Sequence, residues 1–218
     1  MTEVARLVKP RFRGVSHQWA FFVSLVTGAA LVIAAPSGRA TFAAAVYAVS
    51  VAALFGTSAL YHRITWASQT ARRWMRRLDH SMIFLLIAGT YTPFALLVLD
   101  GTLATVILAL VWGGAAAGIL LKLIWIDAPK PLVAAVYVIL GWVAVAAFPD
   151  LIDRLGIGGV AMVAAGGVLY TLGAVVYALR RPDPVPAVFG YHEVFHALVI
   201  AAAALQYAVV AFFVVPSG

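Results

Sequence analysis

Long apolar runs alternate along the chain with short polar breaks that carry proline or glycine, and this rhythm predicts a bundle of membrane-spanning helices. The runs cover residues 19–35, 41–61, 79–99, 102–121, a fifth stretch ending at residue 148, 157–179 and 191–215. Each approaches the roughly 20 residues that an α-helix needs to cross a hydrocarbon core about 30 Å thick. The expected fold is therefore an all-α integral membrane protein with seven transmembrane helices. The breaks are Pro36-Ser37-Gly38-Arg39, Asp100-Gly101, Asp127-Ala128-Pro129-Lys130-Pro131, Pro149-Asp150 with Asp153-Arg154, and the proline-rich connector at residues 180–186. Pro93 falls inside the third run and is expected to kink it. Gly158, Gly159, Gly166, Gly167 and Gly173 predict close packing of the sixth. Residues 63–78 form the longest polar connection. Arg63, Arg72, Arg73, Arg76 and Arg77, interleaved with Trp66, Trp74 and Met75, predict a loop and a basic amphipathic helix lying among the lipid headgroups.

Composition narrows the class. Of 218 residues, 64% are hydrophobic and 11% charged, and the mean hydropathy is +1.02. A soluble domain could not cover itself with so little charge, so residues 19–218 are expected to form one membrane domain behind a basic cytoplasmic segment, residues 1–18. A basic segment before an apolar run resembles a signal peptide, but its length and the six runs that follow favour a retained first helix. The absence of cysteine excludes disulfides and thiolate metal sites.

The net charge of +7 reports topology rather than a nucleic-acid partner. Four basic residues precede the first run (Arg6, Lys9, Arg11, Arg13), five lie between the second and third, Lys122 and Lys130 between the fourth and fifth, and Arg180 and Arg181 between the sixth and seventh. These thirteen fall on one side of a seven-span chain, against Arg39 and Arg154 on the other. The excess predicts a cytoplasmic N-terminus, an outside C-terminus and a multi-pass protein of the cell membrane.

On this topology the chemistry gathers in one layer. His192 and His196 sit four residues apart at the start of the last run, so on a helix their rings share a face roughly 6 Å apart and can share a metal ion. His62 ends the second run on the same side, and His17 and His80 lie at that level too, so histidines spread over almost 180 residues converge at the cytoplasmic ends of the spans. Ionisable groups at membrane depth are costly unless paired or functional. Three neutral imidazoles from His62, His192 and His196, with water in the fourth position, make an open zinc site of the catalytic kind. His17 and His80 are expected to be interface residues. Asp79, at the start of the third run, is a candidate general base and also a candidate helix cap. Ser58 lies one turn from His62 on the same face. His192-Glu193-xx-His196 also matches the H-E-x-x-H pattern of zinc proteases. Glu193 projects about 100° from His192 around the helix, so it ranks below Asp79 as the base.

Taken together, Ser58-xxx-His62, Leu78-Asp79-His80-Ser81, Gly89-Thr90-Tyr91-Thr92-Pro93 and His192-xxx-His196, with Arg13-Gly14-Val15-Ser16-His17 ahead of them, resemble the bacterial haemolysin III family. That family belongs with the progestin and adipoQ receptors and, more distantly, the alkaline ceramidases. The resemblance implies zinc on His62, His192 and His196, with Asp79 near or holding the zinc-bound water and Ser58 adjacent. It also implies the same N-in, C-out topology. Glu193 departs from the amide common at this position among the adipoQ receptors.

Two functions follow as expectations. The first is a zinc-dependent hydrolase acting on an amide or ester of a membrane lipid, with Asp79 moving the proton and Ser58 donating to the oxyanion. The second is a non-enzymatic protein in which zinc staples the helices, acting as a regulator of membrane state or a cytolysin. An intramembrane protease, which needs Glu193 as base, is a third possibility, and a conducting pore is disfavoured because no span carries a regular polar stripe.

Overall fold

The computed structural model describes residues 9–218, so Arg6, counted above among the basic residues, lies outside the described residues. Seven α-helices follow in order: α1 (Val15–Ile33), α2 (Gly38–Arg63), α3 (Gln69–Leu97), α4 (Gly101–Ile124), α5 (Lys130–Gly141), α6 (Phe148–Leu179) and α7 (Tyr191–Val209). A 3-10 segment, Trp142–Ala147, joins α5 to α6, and α7 runs out through a π-helical turn and a final 3-10 turn to Ser217. Six helical stretches among the described residues are long and apolar enough to cross a membrane, the fifth being the 50-residue stretch Lys130–Leu179. The molecule is a membrane helical bundle.

That fifth stretch is not one rod. Gly156 takes φ 71° and ψ 169°, outside the helical region and open to glycine without strain. Trp142 Nε1 donates to Thr171 Oγ1 at 2.9 Å, which lays the two sides of Gly156 alongside each other. The 3-10 segment frees backbone groups that lipid cannot satisfy. Tyr91 serves two of them, its hydroxyl donating to the Gly141 carbonyl and accepting from the Ala144 N–H, both at 2.6 Å. Residues 149–154, expected as a loop, are helical instead, with the proline at 149 in the first turn of α6, where its missing N–H costs nothing.

Other boundaries also move. α1 starts at Val15, ahead of the apolar run, because Gly14 takes a left-handed φ of 77° and turns the chain into the helix. α2 starts at Gly38, behind Ser37, whose hydroxyl accepts from the Ala40 N–H at 3.2 Å. The basic segment after α2 is not a separate surface helix. With Ser68 accepting from the Ala71 N–H and no breaker from 69 to 78, α3 begins at Gln69 and runs unbroken through Pro93 to Leu97. Asp79 therefore lies ten residues inside α3 and caps nothing.

The helices approach closely where small residues meet. Gly89 of α3 packs on Ser50 of α2, Gly118 of α4 on the ring of Phe84, and Gly166 and Gly173 of α6 on Gln206 and Phe195 of α7. Without a hydrophobic drive between helices in lipid, such fits carry much of the stability. Gly118→Leu should drive a side chain into the fully buried Phe84 ring and cost about 1–3 kcal/mol. Thermal unfolding in detergent checks this, with Gly113→Ala, which meets nothing within 4 Å, expected to melt like the parent.

Candidate metal centre

Helix ends bring the histidines together. His62 lies in the last turn of α2, and His192 and His196 occupy the first two turns of α7. All three are buried, at 7%, 9% and 2% exposure. The Nε2 atoms of His62 and His192 meet at 3.1 Å, and one ring nitrogen from each of the three lies within 4.8 Å of the others. Two nitrogens bound to one zinc at its usual distance of about 2.0–2.1 Å lie about 3.3 Å apart. Nδ1 of His196 is buried without a hydrogen-bond partner. Ring nitrogens that converge from three buried histidines suit a metal ion, and this group can hold one.

Asp79 reaches the group from α3, its Oδ2 3.8 Å from His62 Nε2. Ser58, one turn before His62, is 3% exposed, and its hydroxyl is hydrogen-bonded to Nδ1 of His17 at 2.8 Å. His17 corrects the sequence reading. It is no interface residue but is 2% exposed, and its ring stacks on His196 at 3.7 Å between centroids and 11° between planes. Its Nε2 is buried and unpartnered. The signal that could have found it is Gly14: a helix started there, rather than at the first apolar residue, puts His17 in the first turn of a span. His80 is not one of the trio, but it is half-buried and lines the same cavity as Asp79, His192 and His196, with its ring 6.2 Å from that of Tyr177.

Glu193 is engaged elsewhere. Its carboxylate pairs with Arg13 and accepts from the Gly190 N–H at 2.9 Å, so it closes the N-terminus of α7. It does not line the cavity into which Asp79, Ser58 and the α7 histidines open. The Arg13 pair also anchors the turn before α1, where Arg11 and Phe12 donate backbone hydrogen bonds to the Ala187 and Val188 carbonyls at 3.0 and 3.1 Å. Gly14 rests on His62 so tightly that any Cβ there would collide with the histidine's own.

The cavity encloses about 170 Å³ and runs from this polar end past Ile83, Ile87 and Phe94 to Leu151. From Asp79 to Phe94 is 15 residues along α3, roughly 22 Å at 1.5 Å per residue. Its walls are mainly aliphatic and aromatic, and its histidines and only carboxylate sit at one end.

A family model described as "Haemolysin-III related" matches residues 5–207. Hemolysin-3 of Bacillus cereus is 32% identical over 221 residues, covering 100% of this chain and 97% of that protein. The Hemolysin-3 homolog of Bacillus subtilis (strain 168) is 32% identical over 170 residues, 78% of this chain and 76% of the relative.

Metal analysis of purified protein should find bound metal that is lost in His62→Ala and His192→Ala and retained in His80→Ala. Glu193→Ala should keep the metal while costing about 3 kcal/mol of stability for the stranded arginine, read as a lower melting temperature.

Proposed function

The chain belongs to the haemolysin-III-related family, and on that premise we propose that it is a zinc-dependent hydrolase of a lipid amide or ester. The observation that carries this reading is a long apolar cavity lined at one end by Asp79, Ser58, His192 and His196, with His62 completing the buried three-histidine group behind them. Such a cavity fits an acyl chain, with the polar linkage left beside the histidines.

His62, His192 and His196 would hold the ion, and zinc is the first choice for an all-imidazole donor set. Zinc bound there supplies a Lewis acid that polarises a carbonyl and lowers the pKa of water toward about 7. Asp79, beside His62, takes the proton from the attacking water and returns it to the leaving group. Ser58 donates its one proton to the oxygen that gains charge, a role that requires His17 Nδ1–H to be the donor in the buried contact between the two side chains. The apolar walls exclude bulk water from this end.

The topology that accompanies this reading has seven crossings, with the 50-residue stretch folded at Gly156 into two. With the N-terminus cytoplasmic, the histidines lie near the cytoplasmic face of the cell membrane, on the side that carries thirteen of the fifteen basic residues. Lipid from the bilayer is then the substrate or ligand, and nucleic acid has no role.

A second reading is favoured by one contact. The short approach of His62 to His192 ties α2 to α7, as a purely structural metal would. In that case the protein is a metal-stapled regulator of membrane state or a cytolysin, and consumes no substrate. Purified metal-loaded protein given a panel of lipid amides and esters separates the two. The hydrolase should release fatty acid, and Asp79→Ala should lose at least about 100-fold of that rate while keeping its metal. Turnover by Asp79→Ala equal to the parent, or no turnover of any lipid, overturns the hydrolase.

A further inference from the structure

The start of α3 carries positive charge that the described chain does not balance. Arg73, Arg76 and Arg77 stand at i, i+3 and i+4 on one face of the helix, and that face meets the end of α4. Arg77 Nε donates to the Leu123 carbonyl at 3.0 Å. Arg73 and Arg76 reach the two oxygens of Asp127 at 3.3 and 2.8 Å. Lys122, in the last turn of α4, is 2% exposed. Its ammonium lies within Coulombic range of Arg76 and Asp127 and has no hydrogen-bond acceptor among the described residues.

Four cations thus share one carboxylate, already divided between two guanidiniums and 60% exposed. The next acid on α3, Asp79, is turned to His62. Like charges this close, one of them buried, are costly until an anion joins them. The surroundings say which anion. Trp74, Ile124 and Trp125 frame the cluster at 53%, 82% and 49% exposure, and Arg77 lies over the Trp74 ring at 4.9 Å. Exposed tryptophans beside arginines at the end of a span mark the headgroup layer of a bilayer, where phosphate is the abundant anion.

We propose that Arg73, Arg76 and Lys122, at the junction of α3 and α4, bind the phosphate group of an anionic phospholipid from the surrounding bilayer. The guanidinium forks of the two arginines grip phosphate oxygens from the rim, and Lys122 meets them from below as a point charge. The acyl chains lie outside the bundle against Ile124 and Trp125. This site lies apart from the histidine group and does not depend on metal binding or on any reaction there.

The test is native mass spectrometry of the full chain released from nanodiscs that contain phosphatidylglycerol and phosphatidylcholine with matched acyl chains. The parent protein should retain the anionic lipid in preference. Lys122→Met and Arg76→Gln should each reduce that preference about fivefold, and Lys122→Arg should keep it. Arg73→Gln, at an exposed position, should reduce it without disturbing any buried group. Arg154→Gln, which breaks the pair with Asp100 beyond the opposite end of α3, should change nothing. Equal retention of the two lipids overturns the proposal, and so does an equal loss in Arg154→Gln and Arg76→Gln, the mark of diffuse charge. Inorganic phosphate that raises the melting temperature of lipid-stripped protein as far as phosphatidylglycerol does would overturn the assignment to a lipid.

Discussion

Imidazole nitrogens buried in an apolar bundle must find partners inside it, because lipid offers none. Much of the architecture around the ends of α2 and α7 answers that requirement. The rings of His62 and His192 meet tip to tip. His196 is covered by the ring of His17, which is tied in turn to Ser58. Nδ1 of His196 and Nε2 of His17 stay buried without a hydrogen-bond partner, and His62, His192 and His196 form the group that can hold an ion. Four helices meet at this point, α1, α2, α3 and α7, and none supplies the group alone.

What closes the layer is the segment before α1. A turn from Pro10 to Arg13, two backbone hydrogen bonds to the α6–α7 connector and the Arg13–Glu193 pair fasten it across the start of α7. Gly14 then sets the chain down on His62 with no room for a side chain. Glu193 has the sequence position of a protease base, yet its neighbours make it a fastener: its oxygens are taken by Arg13 and the Gly190 N–H. A motif fixes which residues are present, and packing fixes what their atoms face.

α3 links the chemical layer to the membrane. One of its faces carries Asp79, Ile83, Ile87 and Phe94 along the cavity. Another carries the arginine stripe and Phe84 against α4. Because the helix continues unbroken from Gln69, the basic turns and the carboxylate turn are rigidly joined.

The sequence by itself determined the class, the number of long apolar stretches to within the hinge at Gly156, and the gathering of histidines at one end of the spans. These follow from the cost of polar groups in lipid, which leaves a strong one-dimensional trace. The trace fades where polar residues are helical: hydropathy places the start of α1 after His17, the start of α3 at Asp79 and a loop at residues 149–154, whereas all three stretches are helical. Hydropathy senses the solvent, not the hydrogen bond between successive turns. Only the tertiary structure decided that His17 stacks on His196, that Arg13 holds Glu193, and that Tyr91 serves the backbone at the break after α5. Each joins residues at least 50 positions apart, through a ring plane or a side-chain direction that no local pattern of residue types encodes.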